Sequence, residues 1–296
     1  MVRRGLPLID SANNAETQAQ WLSALRSVMT RPGLIGGLPG GPEPLMNEDD
    51  PRLDRLLTHT TLRWSEFAQM LPKRKLGLAF EAIVAWGMVH GLGWTLLERD
   101  LQVFEERRTI GALDLVVRDC VGQIVHWELA YKLYLQEGTE TDWSAWLGPA
   151  GRDRLSLKLT HMIHHQVPLS THPQATAALR AAGIPTPVRR RLLLQGTLFS
   201  RWDASPSRAR SAVAPAEGRW LRHSEIPAYL DRFPGGEWVP RAKPLWIGPA
   251  PSESAGWCDS DLPRRARPQD SQLFSHRHND SEVLVFIVPE QWGRYG

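Results

Sequence analysis

The stretch Ile110–Leu135, IGALDLVVRDCVGQIVHWELAYKLYL, decides how this chain is read. Two runs rich in β-branched and aromatic residues, IGALDLVVRD and QIVHWELAYKLYLQ, flank a short polar turn, which is the pattern of a β-hairpin. Opposed residues of an antiparallel pair keep a constant sum of positions. A turn over Asp119–Gln123, centred on Val121, therefore sets Asp114 opposite Glu128. Directly opposed β-carbons lie about 4.5–5.5 Å apart, and like charges placed there destabilise a sheet. Something positive is expected between the two carboxylates: a divalent cation held by oxygen ligands, or an Arg or Lys. An arginine such as Arg108 or Arg154 in that gap would dispose of the metal reading.

Alternation along the second strand sharpens the point. Trp127, Leu129, Tyr131, Leu133 and Leu135 face one way, while His126, Glu128, Ala130, Lys132 and Tyr134 face the other. A strand with one complete apolar face does not need Glu and Lys on its second face for stability; the plain alternative is that this face is solvated.

Upstream, LGLAFEAIVAWGMVHG (76–91) reads as a buried helix closed by Gly91 and Gly93. Glu81 lies on it among Gly77, Leu78, Val84 and Ala85, so its carboxylate must be paired, protonated or turned toward a cation. WTLLERDLQVFEE reads as a strand, GRDRLSLKLTHMIHHQ and PQATAALRAAG as helices, and RRRLLLQGTLFSR as a central strand. Arg154, Lys158, His161 and His165 form one basic face of the first of these helices, either a solvated face or a set of phosphate contacts. The HxxHH cluster (His161, His164, His165) has no acidic or Cys third ligand near it in sequence, which argues against zinc.

Working outward, residues 17–31 and 53–70 have helical spacing, and the Gly/Pro-rich stretch after Pro32 is a loop without the Lys-Ser/Thr of a phosphate-binding loop. After Trp202, SPSRARSAVAPAEG reads as a linker. A short helix at 227–233, a strand at Lys243–Ile247, a loosely ordered stretch over 251–280 and a late strand SEVLVFIVPE follow.

The 296 residues can bury a sizeable core, and a net charge of +3 permits a polyanionic partner without demanding one. The two cysteines, Cys120 and Cys258, have no metal or redox spacing, which fits a reducing cytoplasm. The N-terminus has no signal-peptide core, and no apolar run approaches the ~18 residues of a membrane span. GxSxG, Walker A, HExxH and dinucleotide-binding glycine patterns are all lacking.

The helix with Glu81, the strand with Asp114 in RRTIGALDLVV and the strand with Glu128 in HWELAYKLYL together resemble the PD-(D/E)XK, restriction-endonuclease-like nuclease superfamily. More narrowly they are similar to the bacterial family of domain of unknown function 1853, as are the AQWLSALRS helix, the DRLSLKLTHMIHHQ segment and the terminal VFIVPEQW. The resemblance implies an α/β fold. Its core is a helix, a three-stranded antiparallel or mixed sheet, a helix and a strand over residues 76–201, with a helical extension over 1–75 and an irregular α+β extension over 202–296. It further implies a metal-dependent nuclease acting on nucleic acid, DNA ahead of RNA. Asp114, Glu128 and Glu81 would hold magnesium, with manganese as substitute, and Lys132 would be the lysine of the site. If the helix packs beside these carboxylates, its basic face of Arg154, Lys158, His161 and His165 is the expected contact with the nucleic-acid backbone. The motif lysine belongs two residues after Glu128, where this chain has Ala130; Lys132 stands ~7 Å further along the strand at ~3.3 Å per residue, and Lys158 could substitute from the helix. Ala112 likewise stands where relatives often carry Glu. The competing expectations are a catalytically silent nucleic-acid-binding module on the same fold, using the Arg189–Arg191 and Arg264–Arg267 clusters, and a protein-interaction scaffold.

Overall fold

A computed structural model describes residues 15–38, 43–139, 141–205, 208–209, 212, 215–249, 255–278 and 281–293. The N-terminal reading over 1–14 lies outside these residues, as do parts of the glycine-rich loop and of the 205–218 linker. The described chain is an α/β fold on a ten-stranded mixed sheet. Four helices come first: α1 (Ala15–Thr30), α2 (Pro51–Leu62), α3 (Trp64–Met70) and α4 (Leu76–Trp86). Then follow β1 (Thr95–Glu105), β2 (Arg108–Arg118), β3 (Ile124–Gln136), the short β4 (Trp146–Leu147), α5 (Leu155–His161), α6 (Pro173–Ala181) and β5 (Arg189–Arg201). The last third holds β6 (Gly218–Arg222), α7 (Ile226–Arg232), β7 (Glu237–Arg241), β8 (Trp257–Cys258), α8 (Leu262–Arg265), β9 (Gln272–His278) and β10 (Ser281–Val288). The strands stand in the order β1-β2-β3-β5-β6-β10-β9-β7-β8, with β4 on the free edge of β3. A three-stranded core was too small an expectation: parallel pairing of β5 with β6 and of β6 with β10 carries one sheet through the last third.

The two faces of β3 are both covered. Trp127, Leu129 and Tyr131 pack with Trp21 and Leu25 of α1 and with Phe80, Ile83 and Val84 of α4. On the other face Ala130 and Tyr134 pack with Leu155 and Leu159 of α5 and with Leu192 and Leu194 of β5. Each such side chain contributes roughly 1.5–3 kcal/mol on burial, so this double layer holds the centre of the sheet rigid. The Trp86 indole N–H donates to Thr60 Oγ1 at 2.8 Å and ties α4 to α2. Gly196 permits the close parallel contact of β5 with β3, because a β-carbon there would lie 1.6 Å from the carbonyl oxygen of Lys132.

Four local expectations need correction. The helix expected over 53–70 is two helices, broken at Arg63 (φ −109°, ψ 32°). The helix expected over 151–166 spans only Leu155–His161; a π-helical turn (Met162–Gln166) and a 3-10 turn (Val167–Thr171) follow, and Pro168 brings no N–H to continue an α-helix. Lys243–Ile247 is a turn, not a strand. Pro244 could not have donated to a ladder, and the Arg241 guanidinium donates to the carbonyls of Leu245 (2.6 Å) and Gly248 (3.0 Å). Finally, the polar 251–280 stretch contains β9, paired on both sides, whose Leu273, Phe274, Ser275 and His276 are all buried.

Candidate active site

The hairpin register is the one the turn implies: Leu115 pairs with Trp127, Val116 with His126, Val117 with Val125 and Arg118 with Ile124. The turn closes through Asp119, whose Oδ1 accepts the N–H groups of Val121 (3.0 Å) and Gln123 (2.8 Å). The ladder stops one step short of Asp114 and Glu128. Beyond that step β2 continues beside β1 alone, while β3 continues beside β5. The two strands fork at the acidic pair.

The fork has a local cause. Asp100, on β1 between the pairs Arg99–Leu115 and Leu101–Leu113, has a positive φ of 52°, which bends the ribbon. Across the bend the inward direction changes: Leu115 packs toward α4, Leu113 toward α6. Asp114 sits at the crossover, and its Oδ2 accepts the Leu129 N–H at 2.8 Å, taking the place of the lost ladder bond.

Glu128 is fully buried. Its Oε1 lies 2.8 Å from His126 Nε2, and its Oε2 accepts from Gln166 Nε2 at 2.7 Å. Gln166 Oε1 in turn accepts from Lys158 Nζ at 2.9 Å and lies 3.1 Å from His161 Nδ1. A chain of polar contacts thus runs from Lys158 through Gln166 to Glu128. Burial pushes Asp114 from the usual 3.8 up to about 7, and the neighbouring Glu128 carboxyl adds to the rise. Glu128 itself is raised to about 7 by burial, against the pull of Lys158. Glu81, half-buried on α4, is also raised to about 7, by burial first and then by Asp114. Burial lowers His126 to about 4, so its ring is neutral, and burial also lowers Lys158, helped by Lys132.

The residues singled out in the sequence are thus divided. Asp114 and Glu128 are in hydrogen-bonding contact, and Glu81 shares their field. Lys132 is turned away into an ion pair with Asp153 (2.5 Å), which also lies 3.4 Å from the Tyr134 hydroxyl. Arg154 is held by the Ser144 carbonyl (2.8 Å) and Glu137 (3.7 Å), and Arg108 lies exposed at the β1–β2 turn, so neither fills the gap between the acids. His161 and His165 stack with ring centroids 5.4 Å apart. Sequence reasoning missed Gln166 and gave His126 no role. The alternation had placed His126 beside Glu128, but Gln166 carries no signal: the π-helical turn that brings it inward has no mark in the sequence.

Among the described residues no group of three or more His, Cys, Asp or Glu side chains is gathered as a ready metal cluster. The donor chemistry nonetheless suits one hard cation: the fully buried Glu128 and the partly buried Asp114 carboxyl groups in contact, with a third within their field. Magnesium is commonly held by one or two carboxylates and keeps several of its waters. No helix among the described residues is long and apolar enough to cross a membrane.

Fold and site together define an α/β protein with a partly buried acidic cluster at a strand fork. The chain belongs to the family described as Domain of unknown function (DUF1853), whose model matches residues 7–293. No curated protein and no solved structure matches it.

Proposed function

We propose that this protein is a metal-dependent phosphodiesterase of the restriction-endonuclease-like type, acting on nucleic acid, DNA ahead of RNA. The observation that carries the reading is the contact of Asp114 with Glu128 at the fork, with Lys158 directed to the same carboxyl through Gln166. Asp114 and Glu128 are the residues that would hold magnesium or manganese, with Glu81 extending the site. The cation, when bound, would lower the pKa of a water ligand and offset charge on the phosphate. His126, neutral, orients Glu128 through Oε1, while Gln166 orients it through Oε2. Lys158 takes the place that Ala130 leaves empty: its amine, with a lowered pKa, is suited to hold a water or a phosphate oxygen beside the acids. His161 and His165 continue the polar face outward. Arg154 is engaged elsewhere, which weakens its part as a phosphate contact.

A silent nucleic-acid-binding module is the second reading, and one observation favours it: Lys132 is neutralised by Asp153. Titration calorimetry with magnesium and with manganese separates the two, comparing the native chain with the Asp114→Asn, Glu128→Gln double variant. Micromolar-to-millimolar binding lost in the variant supports the phosphodiesterase, to be followed by hydrolysis assays on single- and double-stranded DNA and RNA. A folded native chain that binds neither cation leaves the silent module.

A further inference from the structure

A second polar concavity lies on the opposite face of β3 from Glu128. Val125 and Trp127 point into it. Because β5 runs parallel to β3, with Val125 opposite Arg189 and Trp127 opposite Arg191, the same alternation puts both guanidinium groups on that face. The cavity has a volume of about 540 Å³ and is closed by Trp94, by Arg52 at the start of α2 and by the hairpin turn at Cys120. This volume falls within the ~300–1,000 Å³ typical of small-molecule sites.

The lining holds an aromatic wall, a cationic rim of Arg52, Arg189 and Arg191, and two carboxylates, Glu43 and Asp119, the second of which is engaged by the N–H groups of its own turn. Trp94 and Trp127 have ring centroids 6.3 Å apart and planes inclined by 35°. Trp127 is only 8% exposed, and its indole N–H has no acceptor among the described residues. Arg52 is held by Asp50 at 2.6 Å, so its charge is already met. Arg189 and Arg191 are exposed, and their guanidinium groups make no hydrogen bond or ion pair within the described residues. Two unengaged guanidiniums on alternate positions of one strand form a fork for a phosphate, to which arginine is matched by its planar donors. An inorganic anion would leave the indole wall unused, and a neutral aromatic would leave the arginines unused. A ligand with a flat ring next to a phosphate uses both.

We propose that this cavity binds one nucleotide unit, its base against Trp94 and Trp127 and its phosphate between Arg189 and Arg191. The unit is either a free mononucleotide or one residue of a single strand. Stacking on an aromatic side chain is tolerant of base identity, so selection among bases is weak. The inference stands apart from the acidic cluster, since none of these side chains touches Asp114 or Glu128 in any hydrogen bond or ion pair described above.

The test is calorimetry with two probes, AMP and a thymidine decamer. They are measured against the native chain, an Arg189→Ala, Arg191→Ala double variant and a Trp94→Ala variant. Both arginines are exposed, so the double variant is expected to fold, which a thermal melt checks. At least one probe binds the native chain, and the double variant weakens it by roughly tenfold or more, as loss of charge-assisted hydrogen bonds requires. Trp94→Ala also weakens it, and adenosine binds more weakly than AMP. Tighter binding of AMP identifies a free nucleotide as the source; tighter binding of the decamer identifies a strand. A second readout uses the two exposed cysteines: the bound probe slows maleimide labelling of Cys120 at the cavity and leaves Cys258 unchanged. Failure of both probes to bind at millimolar concentration overturns the proposal, and so does binding that the arginine substitutions leave intact.

Discussion

Replacing Asp114 by Asn makes the metal-free protein more stable at alkaline pH. In the native chain burial and Glu128 raise the Asp114 carboxyl from 3.8 to about 7. A carboxyl whose pKa is higher in the folded state lowers stability as pH rises. The cost begins near the unfolded value, because the unfolded chain ionises first, and it is complete once pH passes about 7. A rise of about 3 in pKa corresponds to ~4 kcal/mol as an upper limit. Partial exposure of Asp114 and relaxation around it bring the expected gain from Asn to ~1–3 kcal/mol. The amide keeps an oxygen for the Leu129 N–H, so the fork itself is retained. For a chain of this size 1 kcal/mol moves Tm by roughly 2 °C, which gives a rise of about 2–6 °C at pH 8. The gain shrinks as pH falls toward 4, where native and variant converge. Differential scanning fluorimetry across pH 4–8 in a chelator measures it. A variant that melts at or below the native temperature at pH 8, with no trend in pH, would refute the idea that the acids repel one another in the fold.

Other consequences follow from the same geometry. Gly196→Ala forces a β-carbon against the Lys132 carbonyl, where backbone cannot yield, so a loss of ~3 kcal/mol or more and poor soluble yield are expected; urea unfolding checks this. Gln195→Ala removes the two bonds from its Nε2 to the carbonyls of Val28 (3.0 Å) and Arg31 (2.6 Å) that dock the end of α1 on β5, at a cost of ~1–3 kcal/mol read in the same assay. His126, lowered to about 4, stays neutral from pH 5 to 8, and imidazole nitrogen shifts in a His-labelled sample would contradict this by showing titration near 6.5. If the chain hydrolyses nucleic acid, Lys158→Met abolishes most turnover without lowering Tm, whereas Lys132→Met keeps turnover within about tenfold; the reverse order would return the role to Lys132.

What the sequence disclosed was local and periodic. The hairpin sum gave the true register of β2 and β3, because a short polar turn between two β-rich runs leaves little freedom. Alternation along β3 placed His126, Glu128 and Lys132 on one face. It could not say that Lys132 leans to Asp153, since that partner comes from a loop whose path depends on tertiary packing. The break in the α5 segment escaped for a similar reason: GRDRLSLKLTHMIHHQ has helical spacing throughout, yet a π-helical turn follows His161 and rotates Gln166 toward Glu128. In the last third, β9 carries Ser275 and His276 into full burial, so a polar composition concealed an interior strand. Most of its polar groups are met inside: Ser275 Oγ donates to Glu282 at 2.8 Å, and Tyr229 Oη lies 3.1 Å from His276 Nδ1, while His276 Nε2 is buried with no partner among the described residues.

Burial raises the three acids of the fork, and the charge balance around them adds to the rise at Asp114 and Glu81. Lys132 is matched by Asp153 and Arg154 by Glu137, so neither cation is free to serve the cluster. Lys158 reaches Glu128 through the neutral Gln166, and Arg99 acts on Glu81. Burial displaces each of the three carboxyl groups to about 7; a neighbouring carboxyl adds to the rise at Asp114 and at Glu81, while Arg99 at Glu81 and Lys158 at Glu128 pull the other way. A divalent cation would reverse that displacement by replacing protons with positive charge at the same oxygens. Cation binding must therefore release protons, and its affinity must rise steeply as pH climbs through 7, the range in which the competing protons leave. A structural ion pair would behave in the opposite way: its carboxylates would ionise well below 5 and its response to added cation would be flat. The pH slope of cation affinity thus tells a site built to exchange protons for metal from one that merely buries charge.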